Sequence, residues 1–102
     1  MKFLAIMGHE ETRPQVRKLF QQHRVHMFSN IAIRGCNCQR SEMESMSWWP
    51  SDESLGTYSS LCFAILDASK AEEIMAELEK NPIAVDKDFP ARAFLMNVEK
   101  FA

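Results

Sequence analysis

The side chains with the most distinctive chemistry cluster between Gly35 and Gly56, in the stretch GCNCQRSEMESMSWWPSDESLG. It holds Cys36 and Cys38, two of the chain's three cysteines, and both tryptophans, Trp48 and Trp49. Two thiolates one residue apart can grip a soft ion, and Met43 and Met46 nearby add thioethers suited to Cu(I). Structural zinc sites use more widely spaced Cys pairs with a second pair downstream, and no second pair follows here. Cys36 and Cys38 therefore read either as a copper or zinc pair, joined by Cys62 if its strand brings it close, or as free thiols at a loop base with Met as filler. Trp48-Trp49-Pro50 suits contact with a partner protein or another subunit, because Trp is enriched at binding hot spots. The other reading folds both rings back onto the loop. His9 falls in a loop after a strand, and His23 falls on a helix stripe as a packed, hydrogen-bonded residue. No Ser/His/Asp order, no carboxylate pair in apolar surroundings and no Gly-rich phosphate loop appears. The expectation is a protein that is not an enzyme.

The elements flanking this stretch are regular. Phe3 to Met7 is an unbroken apolar run ending at Gly8, as in a strand covered on both faces. Thr12-Arg13-Pro14-Gln15 predicts a helix start with a capping box, with Pro14 in the first turn. Val16, Leu19, Phe20 and His23 make its apolar stripe, and the helix runs to about His23 or Arg24. Val25 to Arg34 alternates, a second strand. Tyr58 to Leu66 is a third. Ser69 to Glu72 predicts another capping box, and Ala71, Ile74, Met75 and Leu78 form the buried stripe of a second helix that stops at Asn81-Pro82. Ile83 to Pro90 is a connector, and Ala91 to Phe101 a fourth strand. The order β-α-β-loop-β-α-β predicts an α+β, ferredoxin-like βαββαβ sandwich with a long loop between strands 2 and 3. Loops that long are usually functional or disordered. Two helices cover only one face of a four-stranded sheet, yet strands 1, 3 and 4 are apolar on both. Self-association over the second face follows as an expectation.

At 102 residues the chain is one domain, residues 1–102. Its net charge of −2 lacks the basic surface that nucleic acid demands. The apolar run near the N-terminus is too short for a secretory signal, and no stretch approaches a membrane span. A cytoplasmic protein with reduced thiols is expected.

The layout of the whole chain resembles the nitrogen-regulatory PII signalling superfamily and its PII-like relatives. The segment IRGCNCQR is similar to the family's Lys-Gly-Phe-Gly-x-Gln, with Gly35 at the first Gly and Gln39 at the Gln; Asn37 stands at the second Gly. RAFLMNVEKF is similar to Lys-Ile-Phe-Val-x-Pro-Val-Glu, with Arg92 at the Lys and Phe94 at the Phe. The resemblance implies a homotrimer whose sheets face the threefold axis, and a regulatory signalling role in which the long loop meets a partner protein. It also implies an adenine nucleotide or other small ligand between subunits, held by Gly35, Gln39, Arg92 and Lys87. The connector NPIAVDKDFPAR has no Gly, whereas the family's is Gly-rich. CutA-type trimers, linked to metal tolerance, share the same body, which keeps the metal reading of Cys36 and Cys38 open. A third reading is a dimeric αβ-barrel or ferredoxin-like enzyme.

Overall fold

The computed structural model describes residues 1–35, 57–84 and 90–102. In chain order the elements are β1 (Lys2–His9), a single 3₁₀ turn (Glu10–Thr12), α1 (Arg13–Gln22), β2 (Ser29–Gly35), β3 (Thr57–Leu66), α2 (Ala68–Lys80) and β4 (Arg92–Asn97). The expected long loop falls on residues 36–56, which lie outside the described residues.

The four strands form one antiparallel sheet in the order β2-β3-β1-β4. β1 is central, pairing Ile6 with Cys62 of β3 on one side and with Ala93 of β4 on the other. That position explains its unbroken apolar run: flanked by a strand on each side, Leu4, Ala5, Ile6 and Met7 are all buried, so polar alternation is not tolerated. β2 and β4 are the edges.

Both helices lie on one face. Leu4, Ile6, Cys62, Ala64 and Leu66 meet Val16, Leu19 and Phe20 of α1 and Ala71 and Ile74 of α2 in one buried cluster. These strand residues share one parity, and the helical ones recur at the three- and four-residue spacing that places them on one stripe. Phe20 also packs against Phe28 at a tilt, ring centroids 4.8 Å apart.

The other parity makes the second face: Phe3, Ala5 and Met7 on β1, Leu61, Phe63 and Ile65 on β3, Ile31 on β2, and Phe94 and Met96 on β4. Among the described residues no helix covers it. Ile31 and Ile65 are each 48% exposed and Met96 51%, while Phe3 and Phe63 pack with ring centroids 5.5 Å apart.

Three local expectations are corrected. The first helix is entered through the 3₁₀ turn, so Thr12 is already helical and its hydroxyl donates back to the His9 carbonyl at 2.6 Å instead of capping. The second helix is capped two residues earlier than expected. Asp67, not Ser69, is the N-cap, accepting from the Lys70 N–H at 3.0 Å. The second strand begins at Ser29, not Val25, because α1 closes in a Schellman turn. Arg24 takes φ 60°, the Arg24 N–H donates to the Gln21 carbonyl at 3.0 Å, and the Val25 N–H to the Phe20 carbonyl at 2.8 Å. Val25 is therefore pinned over Phe20 in the core and cannot start a ladder.

Candidate ligand site at one end of the sheet

Strand register decides which candidate residues meet. Gly35 pairs with Thr57 across β2 and β3, Ser59 with His9 across β3 and β1, and Arg92 with Met7 across β4 and β1. The chain thus leaves β2 and re-enters β3 at the same end of the sheet where β1 finishes. The connector returns there too: the Ala91 N–H donates to the Ile83 carbonyl at 2.7 Å, and Ala91 lies against Gly8. A Cβ on Gly8 would sit 2.8 Å from the Ala91 Cβ and 3.1 Å from its Cα. Only glycine lets β1 and the approach to β4 come this close. One end of the sheet therefore carries the attachment points of both segments that the resemblance assigns to a ligand.

Gly35 and Arg92 do not meet within one chain. They occupy opposite edges, three strand spacings or roughly 14 Å apart, and are offset by four residues or roughly 13 Å along the strands. Arg92 is exposed and has the parity of the open face, at its rim beside Met7. Gln39, Lys87, Trp48, Trp49, Cys36 and Cys38 all lie outside the described residues. Cys62 lies away from the end of the sheet where β2 stops and β3 starts. It is 1% exposed in the helix-side core and about 16 Å of strand from Thr57. Burial pushes its thiol above the ordinary 9.0, opposed by the Arg13 charge and a hydrogen bond with Ser60. A thiol held protonated is a poor metal ligand. Among the described residues no group of three or more His, Cys, Asp or Glu is placed to hold a metal ion.

Of the histidines, His9 ends β1, and its carbonyl accepts from the Thr12 hydroxyl. His23 closes α1 against α2, its Nε2 2.8 Å from Glu77 Oε1 and its Nδ1 4.0 Å from Glu73 Oε2. Lys70 Nζ adds a second bridge between the helices, donating to the Arg24 carbonyl at 3.4 Å. His23 is thus a structural clasp, as its place on the helix stripe predicts.

Sequence reasoning missed a basic cleft of about 610 Å³ between α1 and the segment entering β2, lined by Arg13, Arg17, Lys18, His26, Phe28 and Asn30 among others. The signal was present in the spacing of Arg13, Arg17 and Lys18 off the apolar stripe. It reads as an ordinary wet helix face until β2 is placed beside it.

No protein-family model matches the chain, and no curated protein matches it either. Among the described residues no helix is long and apolar enough to cross a membrane.

Proposed function

We propose that this chain is a PII-like regulatory protein, a homotrimer that senses a small ligand and presents the segment between β2 and β3 to a partner protein. The reading rests on one observation above all. The sheet order β2-β3-β1-β4, with both helices on one face, leaves an apolar face bare beside the sheet end from which both ligand-associated segments depart. Read from the other edge the order is 4-1-3-2, which supports the ferredoxin-like reading. Self-association over the bare face buries Ile31, Ile65, Phe94 and Met96, and a cyclic arrangement closes it without leaving a free patch.

The separation of Gly35 from Arg92 supports the same reading. Residues on opposite edges of one sheet can face a common ligand when the β2 edge of one subunit adjoins the β4 edge of the next. In this proposal Gly35 and Gln39 come from one subunit and Arg92 and Lys87 from its neighbour. The ligand is an anion, with adenine nucleotides as first candidates, and it changes the order of the segment carrying Trp48 and Trp49. The protein performs no chemistry on it.

The test is tryptophan emission titrated with ATP, ADP, AMP and other small anions, alongside the mass in solution. A trimer whose emission shifts on binding, with the shift weakened in Arg92→Ala, is the expected outcome. A trimer with no response to any of these ligands overturns the sensing role, and a dimer overturns the assembly in favour of an αβ-barrel. The Cys36-Asn37-Cys38 sequence supports a second reading, a CutA-like copper or zinc protein. Metal content after anaerobic purification decides it: equal metal in the native chain and in Cys36→Ser/Cys38→Ser removes it.

A further inference from the structure

The cleft beside α1 combines three features that do not occur together elsewhere among the described residues. Its first wall is cationic: Arg13, Arg17 and Lys18 share one flank of α1, and His26 adds a ring from the segment before β2. Glu10 approaches Arg13 at 3.9 Å. Arg17 and Lys18 have no carboxylate within ion-pair range among the described residues. Its floor is apolar, formed by buried Val25 and by Phe28 packed against Phe20. Its second wall leads into β2, an edge strand that pairs with β3 alone among the described residues. An edge strand offers backbone donors and acceptors to an incoming strand unless something blunts it. β2 carries no proline.

Spacing separates an extended ligand from a compact one. Arg13 and Arg17 are four residues apart, about 6 Å along the helix axis. Alternate residues of an extended chain rise about 6.8 Å. The two pitches match, so an extended segment that runs with α1 from the Asn30 end of the cleft would set every second side chain against a cation. A single phosphate-sized anion spans only one of these steps.

We propose that this cleft binds an extended acidic segment of a partner protein, which adds a strand to the outer edge of β2. Its alternate carboxylates face Arg13, Arg17, Lys18 and His26, and an apolar side chain seats over Phe28. This is strand addition, in which backbone pairing supplies affinity and the helix wall supplies selectivity. The site lies on the helix side of the sheet, apart from the bare face, but the added strand takes the β2 edge that the proposed trimer sets beside β4 of the next subunit, so the two compete for that edge and the recorded mass separates them.

The experiment titrates the full-length protein with a labelled peptide of alternating Thr and Glu. Its Thr–Lys counterpart and inorganic triphosphate serve as controls. Anisotropy reports binding, and amide hydrogen exchange reports where the peptide lies. The acidic peptide is expected to bind, to protect amides within Ser29–Gly35, and to lose affinity roughly tenfold or more in Arg17→Glu/Lys18→Glu. Both replaced residues are exposed, so the variant should keep its circular dichroism and its mass in solution. Four results each overturn the proposal: no binding, equal binding of the Lys peptide, undiminished binding to the variant, or binding without protection of β2. Triphosphate binding as tightly as the peptide overturns it in favour of a small-anion site. Because the mass is recorded in every sample, failure here is distinguished from failure of the trimer.

Discussion

Arg24 holds the most strained backbone position described. At φ 60° it occupies the left-handed region that glycine enters freely and other residues enter at a cost of about 1–2 kcal/mol. The turn nevertheless uses only its backbone: its N–H, its carbonyl to Lys70, and the direction it gives Val25. Arg24→Gly should therefore stabilise the fold, by about 0.5–1 kcal/mol once the freer unfolded chain is counted. Thermal unfolding should show a rise of a few degrees; a fall would mean that the Arg24 side chain has a role of its own. Cys62 makes a second prediction at this scale. Its folded thiol titrates above 9.0 because burial disfavours the thiolate, so in that window the folded state holds the proton more tightly than the unfolded state. Stability attributable to Cys62 is complete below the ordinary thiol value and declines as pH rises through the folded one. Denaturant unfolding across the alkaline range should show a steeper loss in the native chain than in Cys62→Ala.

At the scale of elements, the two helices were legible and their ends were not. A stripe such as Val16, Leu19 and Phe20 requires only the helical period, which is local. Caps depend on where the preceding chain arrives. Asp67 follows directly from β3, so its carboxylate reaches the Lys70 N–H and Ser69 already lies inside the first turn. Asp67→Ala should cost about 1 kcal/mol, whereas Ser69→Ala should cost much less, since its hydroxyl makes only a 3.5 Å contact to Asp67 Oδ1. Chemical denaturation of the pair checks this, and equal losses would return the cap to Ser69. The same locality explains the second strand. Val25 to Arg34 alternates throughout, but alternation has no means of showing that Val25 is already claimed by the core through a left-handed residue before it.

At the scale of the molecule, the decisive feature is the face opposite the helices. It follows from counting: one sheet has two faces, and both helices pack on the same one. Ile65→Lys/Met96→Lys places two charges among Phe3, Phe63 and Phe94 on that face. Sedimentation should show the proposed trimer giving way to a monomer, with helix content retained because the helix-side core is untouched. Retention of the oligomer would move the interface elsewhere. The candidate site was legible as residue types and not as a place. Gly35 and Arg92 stand out by motif, yet only register shows that they lie on opposite edges of the sheet; it is the proposed trimer that would bring them to one ligand. The cationic cleft was invisible for a similar reason: Arg13, Arg17 and Lys18 acquire a counterpart wall only when the segment entering β2 is placed beside α1.

The amino-acid sequence by itself determined the kinds of element, their order, the apolar stripes of both helices and the surplus of apolar strand surface. These are set by side-chain period and composition within short windows of chain. Tertiary structure alone decided the neighbours of each strand, the aligned end where β1, β2, β3 and the connector meet, the burial of Cys62 away from that end, and the cleft beside α1. Each of these is a pairing between residues far apart in the chain. Such pairings are selected by the packing of the whole core around β1, and no local pattern encodes them.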